Sequence, residues 1–228
     1  MKPIFLFIFV IFSGCSLTPV PQNIEQLHEE TLRIIPLIEQ KLQEGDIIFR
    51  LSQTQLLGGL VDFSKTIANA TESDFSHAVL VYKISPDGII LADITPTGIA
   101  RRYLIDWYIE GTSNFAVKRL KPEYQYYLPL IMCCVKQKID EDILYDAKFA
   151  GNGVKFYCTE FVDHCFRQAL CPLAPRLKIK DFPKFDLFFS LGCFIGGIDI
   201  NSEVAIVGNN KIGLFSSEKL ETVLDFRN

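Results

Sequence analysis

The sequence predicts an α+β protein, an antiparallel sheet with helices packed on it, and three observations lead there. Short β-branched runs such as Ala78-Val79-Leu80-Val81 are bounded by turn residues, while apolar residues elsewhere recur at helical spacing. The two patterns mix without the regular strand–helix alternation of a parallel sheet. Of 228 residues, 214 remain after loss of residues 1–14, enough for one sizeable core and little room for a second.

Taken in order, the chain opens on a secretion signal. Lys2 carries positive charge, Ile4 to Phe12 are apolar, and Ser13-Gly14 are small residues before Cys15. The apolar stretch is too short to span a bilayer. Phe12-Ser13-Gly14-Cys15 resembles the bacterial lipobox, although Phe12 departs from the usual aliphatic residue. The resemblance implies a lipidated Cys15 as the first mature residue, with residues 15–23, including Pro19 and Pro21, as a tether. Ser16 matches the outer-membrane sorting pattern of Gram-negative lipoproteins. A lipid anchor in the outer membrane, facing the periplasm, is the expected location.

Residues 24–228 are expected to form the domain. Ile24, Leu27, Ile34, Ile35, Ile38 and Leu42 trace an amphipathic helix disturbed near Pro36 and ended by Gly45-Asp46. Ile47-Ile48-Phe49 is a strand. Gln55 to Asn69 is read as a helix weakened by Gly58-Gly59. Strands His77 to Tyr82 and Ile89 to Ile94 flank a turn containing Pro86-Asp87-Gly88. A short helix (Tyr103 to Ile109), a strand (Phe115 to Leu120) and a longer helix (Tyr124 to Lys138) follow. The helix opening at Cys158 runs to about Leu170, where Pro172 enforces a stop. Strands are expected at Val204 to Val207 and Ile212 to Phe215. Phe182, Phe185, Phe188, Phe189 and Phe194 are assigned to the core.

Composition excludes some chemistry. The formal charge of −4 becomes −5 without Lys2, so the basic face required by a nucleic-acid partner is missing. Beyond Cys15 there are six cysteines, no CxxC, and no histidine at zinc-ligand spacing except in the Cys158/His164 pair. A structural zinc is not expected, and no cofactor motif is present. Gly59 to Thr66 misses a phosphate-binding loop by one residue, because Ser64 stands where glycine must let the phosphate approach.

The chemistry concentrates on Cys158. A lone cysteine at the start of an apolar helix is usually a small buried hydrophobe. Here Phe161, Val162, Cys165, Phe166 and Ala169 supply the buried stripe without it. A helix N-terminus stabilises a thiolate, and the free N–H of Cys158 is available to an oxyanion. Tyr157 and Cys158 are therefore the oxyanion and substrate-contact candidates. Of three histidines, His28 sits among Glu25, Glu29 and Glu30, and His164 is about 120° around the helix from Cys158. His77, heading the run Ser76 to Tyr82, is left as the base. Asp93 on the next strand is the leading candidate to orient it. A five-residue connection, Lys83 to Asp87, would pair the two directly. A three-residue loop keeps them on one face but apart, and a two-residue loop puts them on opposite faces.

Three blocks in order carry a family resemblance: Leu42-Gln43-Glu44-Gly45-Asp46-Ile47-Ile48-Phe49, Ser76 to Tyr82, and Phe156 to Val162. Together they resemble the circularly permuted NlpC-type papain-like amidases, the YaeF/YiiX group, in which the histidine strand precedes the cysteine helix. The resemblance implies a permuted papain-like α+β fold, with Cys158 as nucleophile, His77 as base and Asp93 as third polar residue. It also implies a thiol hydrolase cleaving an amide through an acyl-enzyme, with a cell-wall peptide as the first substrate considered. Acyl-lipid or thioester chemistry is the alternative, because the lecithin:retinol acyltransferase-like proteins share the permuted order. A non-catalytic envelope binding module is the third reading.

Overall fold

The computed structural model describes residues 18–19, 33–52, 54–56, 61–110 and 112–227. The lipobox, most of the tether, His28 and the expected helical positions before residue 33 lie outside them.

Six strands form one antiparallel sheet: β1 (Ile47–Ser52), β2 (His77–Ser85), β3 (Gly88–Thr95), β4 (Gly98–Tyr103), β5 (Thr112–Leu120) and β6 (Leu220–Phe226). Their spatial order is β6-β5-β1-β2-β3-β4. Both faces are covered, which is why β1 reads as an unbroken apolar run rather than an alternating one. Ile47 and Phe49 enter the core beneath helices α4 (Leu128–Asp140) and α5 (Cys158–Gln168). Ile48 points the other way, into a core shared with helix α1 (residues 33–39) and Trp107 of α3 (Leu104–Ile109). On α5, Phe161, Val162, Cys165 and Phe166 are buried against the sheet. Full burial of each large apolar side chain there contributes about 1.5–3 kcal/mol.

The expected strands of the main sheet are present, and two more are added. The additions, β4 and β6, are its two edges. Edge strands carry charge on otherwise apolar patterns, here Arg101-Arg102 and Glu221 with Asp225, so they lack the uniform apolar signature of central strands.

Three other expectations are corrected. Thr54–Leu56 and Val61–Asp62 are short paired strands, and helix α2 is confined to Phe63–Ala70. The helix expected at Tyr124 to Lys138 begins as a tighter 3₁₀ turn, Pro122–Tyr127, before α4. Val204 to Val207 and Ile212 to Phe215 do lie side by side, bonded from the Leu214 N–H to the Ile206 carbonyl at 3.0 Å and from Phe215 to Val207 at 2.9 Å. Yet only Glu203–Val204 is strand, and Leu214–Ser216 is a 3₁₀ turn. Gly208 and Gly213, both at positive φ, bring their backbones too close there for a regular ladder.

The Gly45-Asp46 corner is structural. Gly45 has φ +87°, and the buried Asp46 carboxylate accepts from Arg119 at 2.7 and 2.8 Å and from the Gln43 N–H at 2.8 Å. This corner locks the start of β1 against β2, with the Gly45 N–H bonded to the Val81 carbonyl at 2.8 Å.

Candidate active site

A β-bulge decides whether His77 and Asp93 share a face. The turn pairs Ser85 with Gly88, leaving the two-residue loop Pro86-Asp87, and that loop alone would put the two side chains on opposite faces. The register shifts at Tyr82, between Val81↔Leu91 and Lys83↔Ile90, and one extra residue restores the parity. Extending Leu80↔Ala92 by one step sets Val79 opposite Asp93, so Asp93 is diagonal to His77 on one face. There His77 Nε2 and Asp93 Oδ1 are 2.8 Å apart.

Parity puts that pair on the Trp107 side of the sheet, whereas α5 packs on the other side. Contact with Cys158 is made at the sheet's end. Pairing of β2 with β3 stops at Leu80↔Ala92. Beyond that point the Ala78 N–H is turned onto the Cys158 sulfur, and His77 and Cys158 share a side-chain hydrogen bond. Because Nε2 is committed to Asp93, the other ring nitrogen, Nδ1, faces the thiol.

Cys158 is the first residue of α5, after the N-cap Tyr157. No side chain of the N-cap bonds the first-turn amides. Instead Glu160, three residues past the cap, reaches back to the Tyr157 N–H, half of a capping box. The Cys158 N–H, in the first turn, has no acceptor within the helix, the position an oxyanion donor occupies. Ahead of it, the buried Asp146 holds the loop by accepting from the amides of Lys148 at 3.0 Å, Ala150 at 2.6 Å and Gly151 at 3.3 Å.

Burial opposes every charge in this cluster, and the charges outweigh it. Burial alone would lower His77, but the Asp93 carboxylate and the Cys158 sulfur raise it from 6.5 to about 9. Burial would raise the Cys158 thiol, yet His77 and the Ala78 N–H hold it below its ordinary value. Asp93, though buried, is held below the usual carboxylate range by His77, Arg50 and Arg102. Both shifts run in the direction of an imidazolium–thiolate pair.

Sequence reasoning missed the support around Asp93. Arg50, the charged residue in the buried run of β1, stacks 3.8 Å over the Trp107 ring and donates to the Trp107 carbonyl at 2.5 Å. Arg102 approaches the second Asp93 oxygen at 3.6 Å. The Trp107 ring also lies 6.3 Å from that of His77. A lone arginine in an otherwise apolar central strand was the available signal, because burying a charge is costly unless a partner waits for it.

Tyr157 stands beside Cys158 and lines the adjacent cavity. Its hydroxyl donates to the Ala205 carbonyl at 3.1 Å and accepts from the Ala205 N–H at 2.8 Å, which commits it to the backbone. The residue contributes a wall instead. His164 points away, its ring 4.8 Å from that of Phe156. The phenylalanine cluster divides: Phe182 is buried, Phe185 and Phe189 pack partly buried against it, and Phe188 and Phe194 of α6 (Leu187–Gly196) are exposed. An apolar helix with two faces cannot bury both against one neighbour. All six described cysteines are free thiols. Among the described residues no group of three or more His, Cys, Asp or Glu converges to hold a metal ion.

Comparison with known proteins fits this geometry. The family described as "Permuted papain-like amidase enzyme, YaeF/YiiX, C92 family" matches residues 41–185, from the Gly-Asp corner through the histidine strand and the cysteine helix. The chain belongs to this amidase family. Its fold is that of the metalloprotein yiiX from Escherichia coli O157:H7, whose crystal structure superposes with a TM-score of 0.64 at 23% identity, covering 82% of this chain and 99% of that one. No curated protein matches the chain. Membership makes the protein a thiol hydrolase of the papain-like amidase type, and along this chain the histidine strand precedes the cysteine helix.

Proposed function

We propose that this amidase works through Cys158, His77 and Asp93, and the observation that carries the reading is the continuous chain of contacts from Cys158 to His77 to Asp93. The thiolate attacks the amide carbonyl, and the Cys158 N–H donates a hydrogen bond to the developing oxyanion. The imidazolium passes its proton to the leaving nitrogen as the C–N bond breaks. Neutral His77 then takes a proton from water, which attacks the thioester and releases the acid. Asp93, with Arg50 and Arg102 behind it, keeps the ring oriented and charged.

The substrate is an amide of the cell envelope, reached by a protein tethered through a lipidated Cys15. Both a murein peptide and an acyl amide satisfy the chemistry at Cys158. The test is turnover of both substrate types by wild type, Cys158→Ala and His77→Ala. Loss of amide turnover in both variants is expected, and undiminished activity in Cys158→Ala would remove the hydrolase mechanism.

A further inference from the structure

Helix α6 carries two apolar faces, and the domain covers one of them. Cys193 is buried, and Phe189 packs against Phe182 and Phe185. Leu187, Phe188, Leu191, Phe194 and Ile195 fall at i, i+1, i+4, i+7 and i+8, which gathers them into one stripe along the helix. That stripe points outward, its side chains 41 to 84% exposed. A surface helix ordinarily turns charged and polar residues to water there. Here residues 187–198 contain no charged residue, and Ser190 supplies their one hydroxyl or amide side chain.

What covers the stripe follows from its size, its chemistry and its place in the chain. Five side chains fall well short of the roughly 20–30 residues a side that a stable protein interface uses. None of the five donates or accepts a hydrogen bond, so the face has nothing to fix a protein partner's register, whereas hydrocarbon needs no such fixing. The N-terminal segment points the same way. Thr18–Pro19 pairs with Thr54–Leu56, which pairs with Val61–Asp62, and Asp62 leads directly into α2. At the end of α2 the Ala70 carbonyl accepts from the Lys184 N–H at 3.1 Å, three residues before α6. Cys15, three residues before Thr18 and at most about 11 Å from it, is thus linked to α6 across a single short helix.

We infer that α6 lies in the surface of a lipid bilayer, with the stripe among the acyl chains and the rest of the domain outside. At ten residues α6 is about 15 Å long, roughly half the thickness of the hydrocarbon layer, so it lies along the surface instead of crossing it. Among the described residues no helix is long and apolar enough to cross a membrane. The charges just before α6 balance, Lys180 and Lys184 against Asp181 and Asp186, so apolar burial supplies the attraction and the lipid need carry no net charge. The choice of occupant rests on the lipid-anchor reading above, and nothing in it depends on the amide chemistry.

Tryptophan fluorescence tests it on the full-length protein, processed and reconstituted with phosphatidylcholine vesicles. Trp107 is the single native tryptophan and is fully buried, so its emission is a constant background that also reports an intact core. Emission from Phe188→Trp and from Phe194→Trp should shift to the blue and lose intensity when the lipid carries brominated acyl chains. Emission from Ile84→Trp, exposed at the end of β2 away from His77, should do neither. Leu191→Asp, in the middle of the stripe, should abolish both effects at Phe194→Trp. Protein that stays with the vesicles while both α6 tryptophans go unquenched overturns the inference alone; their shielding from acrylamide would then give the face to a second copy or to another segment of this chain. Equal quenching at Ile84→Trp, or quenching that survives Leu191→Asp, overturns it as well. Protein recovered free of the vesicles would instead overturn the lipid-anchor reading, and the inference with it.

Discussion

Replacing Asp93 by asparagine isolates the charge that faces the His77–Cys158 pair. His77 sits at about 9 against an ordinary 6.5, roughly 3 kcal/mol in favour of the imidazolium. Burial opposes that preference, so the favourable terms from Asp93 and Cys158 are together larger than the net. In Asp93→Asn the amide oxygen can still accept from Nε2–H, which preserves the ring's placement, but the negative charge is gone. Burial is then opposed by the Cys158 sulfur alone, and the alkaline limb of kcat/KM should fall from about 9 by about two units. At about pH 8 this lowers the imidazolium share roughly tenfold, and the Cys158 thiol, losing its counter-charge, titrates higher. The combined loss in kcat/KM at about pH 8 should be about 10²-fold. That is less than the roughly 10⁴-fold seen when the corresponding change imposes the wrong tautomer in a Ser-His-Asp enzyme. The assay is a pH profile of kcat/KM beside the pH dependence of iodoacetamide labelling at Cys158, with near-ultraviolet circular dichroism confirming the fold. An alkaline limb that stays at about 9 would refute the electrostatic account.

Other perturbations separate the remaining elements. Cys158, partly exposed and held below the ordinary thiol value, should alkylate well before Cys165, which burial pushes far above it; equal rates by mass spectrometry would contradict the assignment. Glu160 is buried with Oε2 unpartnered, and burial raises it from 4.5 to about 7. Its contribution to stability is full below about pH 4.5 and is lost as pH rises through 7. Glu160→Gln should therefore stabilise by up to about 3 kcal/mol in urea unfolding at about pH 8.5 and change little at about pH 4.5. Cys15→Ala should shift the protein from membrane to soluble fractions or leave an uncleaved precursor, and a mature N-terminus downstream of Cys15 would rule out the anchor.

Much of the site was legible because its chemistry is local. A cysteine at a helix start, a histidine at a strand start and the elimination of His28 and His164 need only spacing and composition. The central strands were equally plain, since residues buried on both faces leave an unbroken apolar run. Whether Asp93 could meet His77 was undecidable, because pairing parity turns on a single residue: the Pro86-Asp87 loop separates the two, and the bulge at Tyr82 rejoins them. No propensity of Tyr82 announces that bulge. The edge strands β4 and β6 were hidden for a related reason, since only tertiary pairing makes their charged segments extended. The roles of Arg50, Trp107 and the Ala78 N–H are likewise tertiary, joining β1, α3 and β2 around one carboxylate and one sulfur. Sequence alone thus determined which groups could react. Three-dimensional packing decided their register, their charge state and the apolar space beside them, because each depends on residues far apart along the chain.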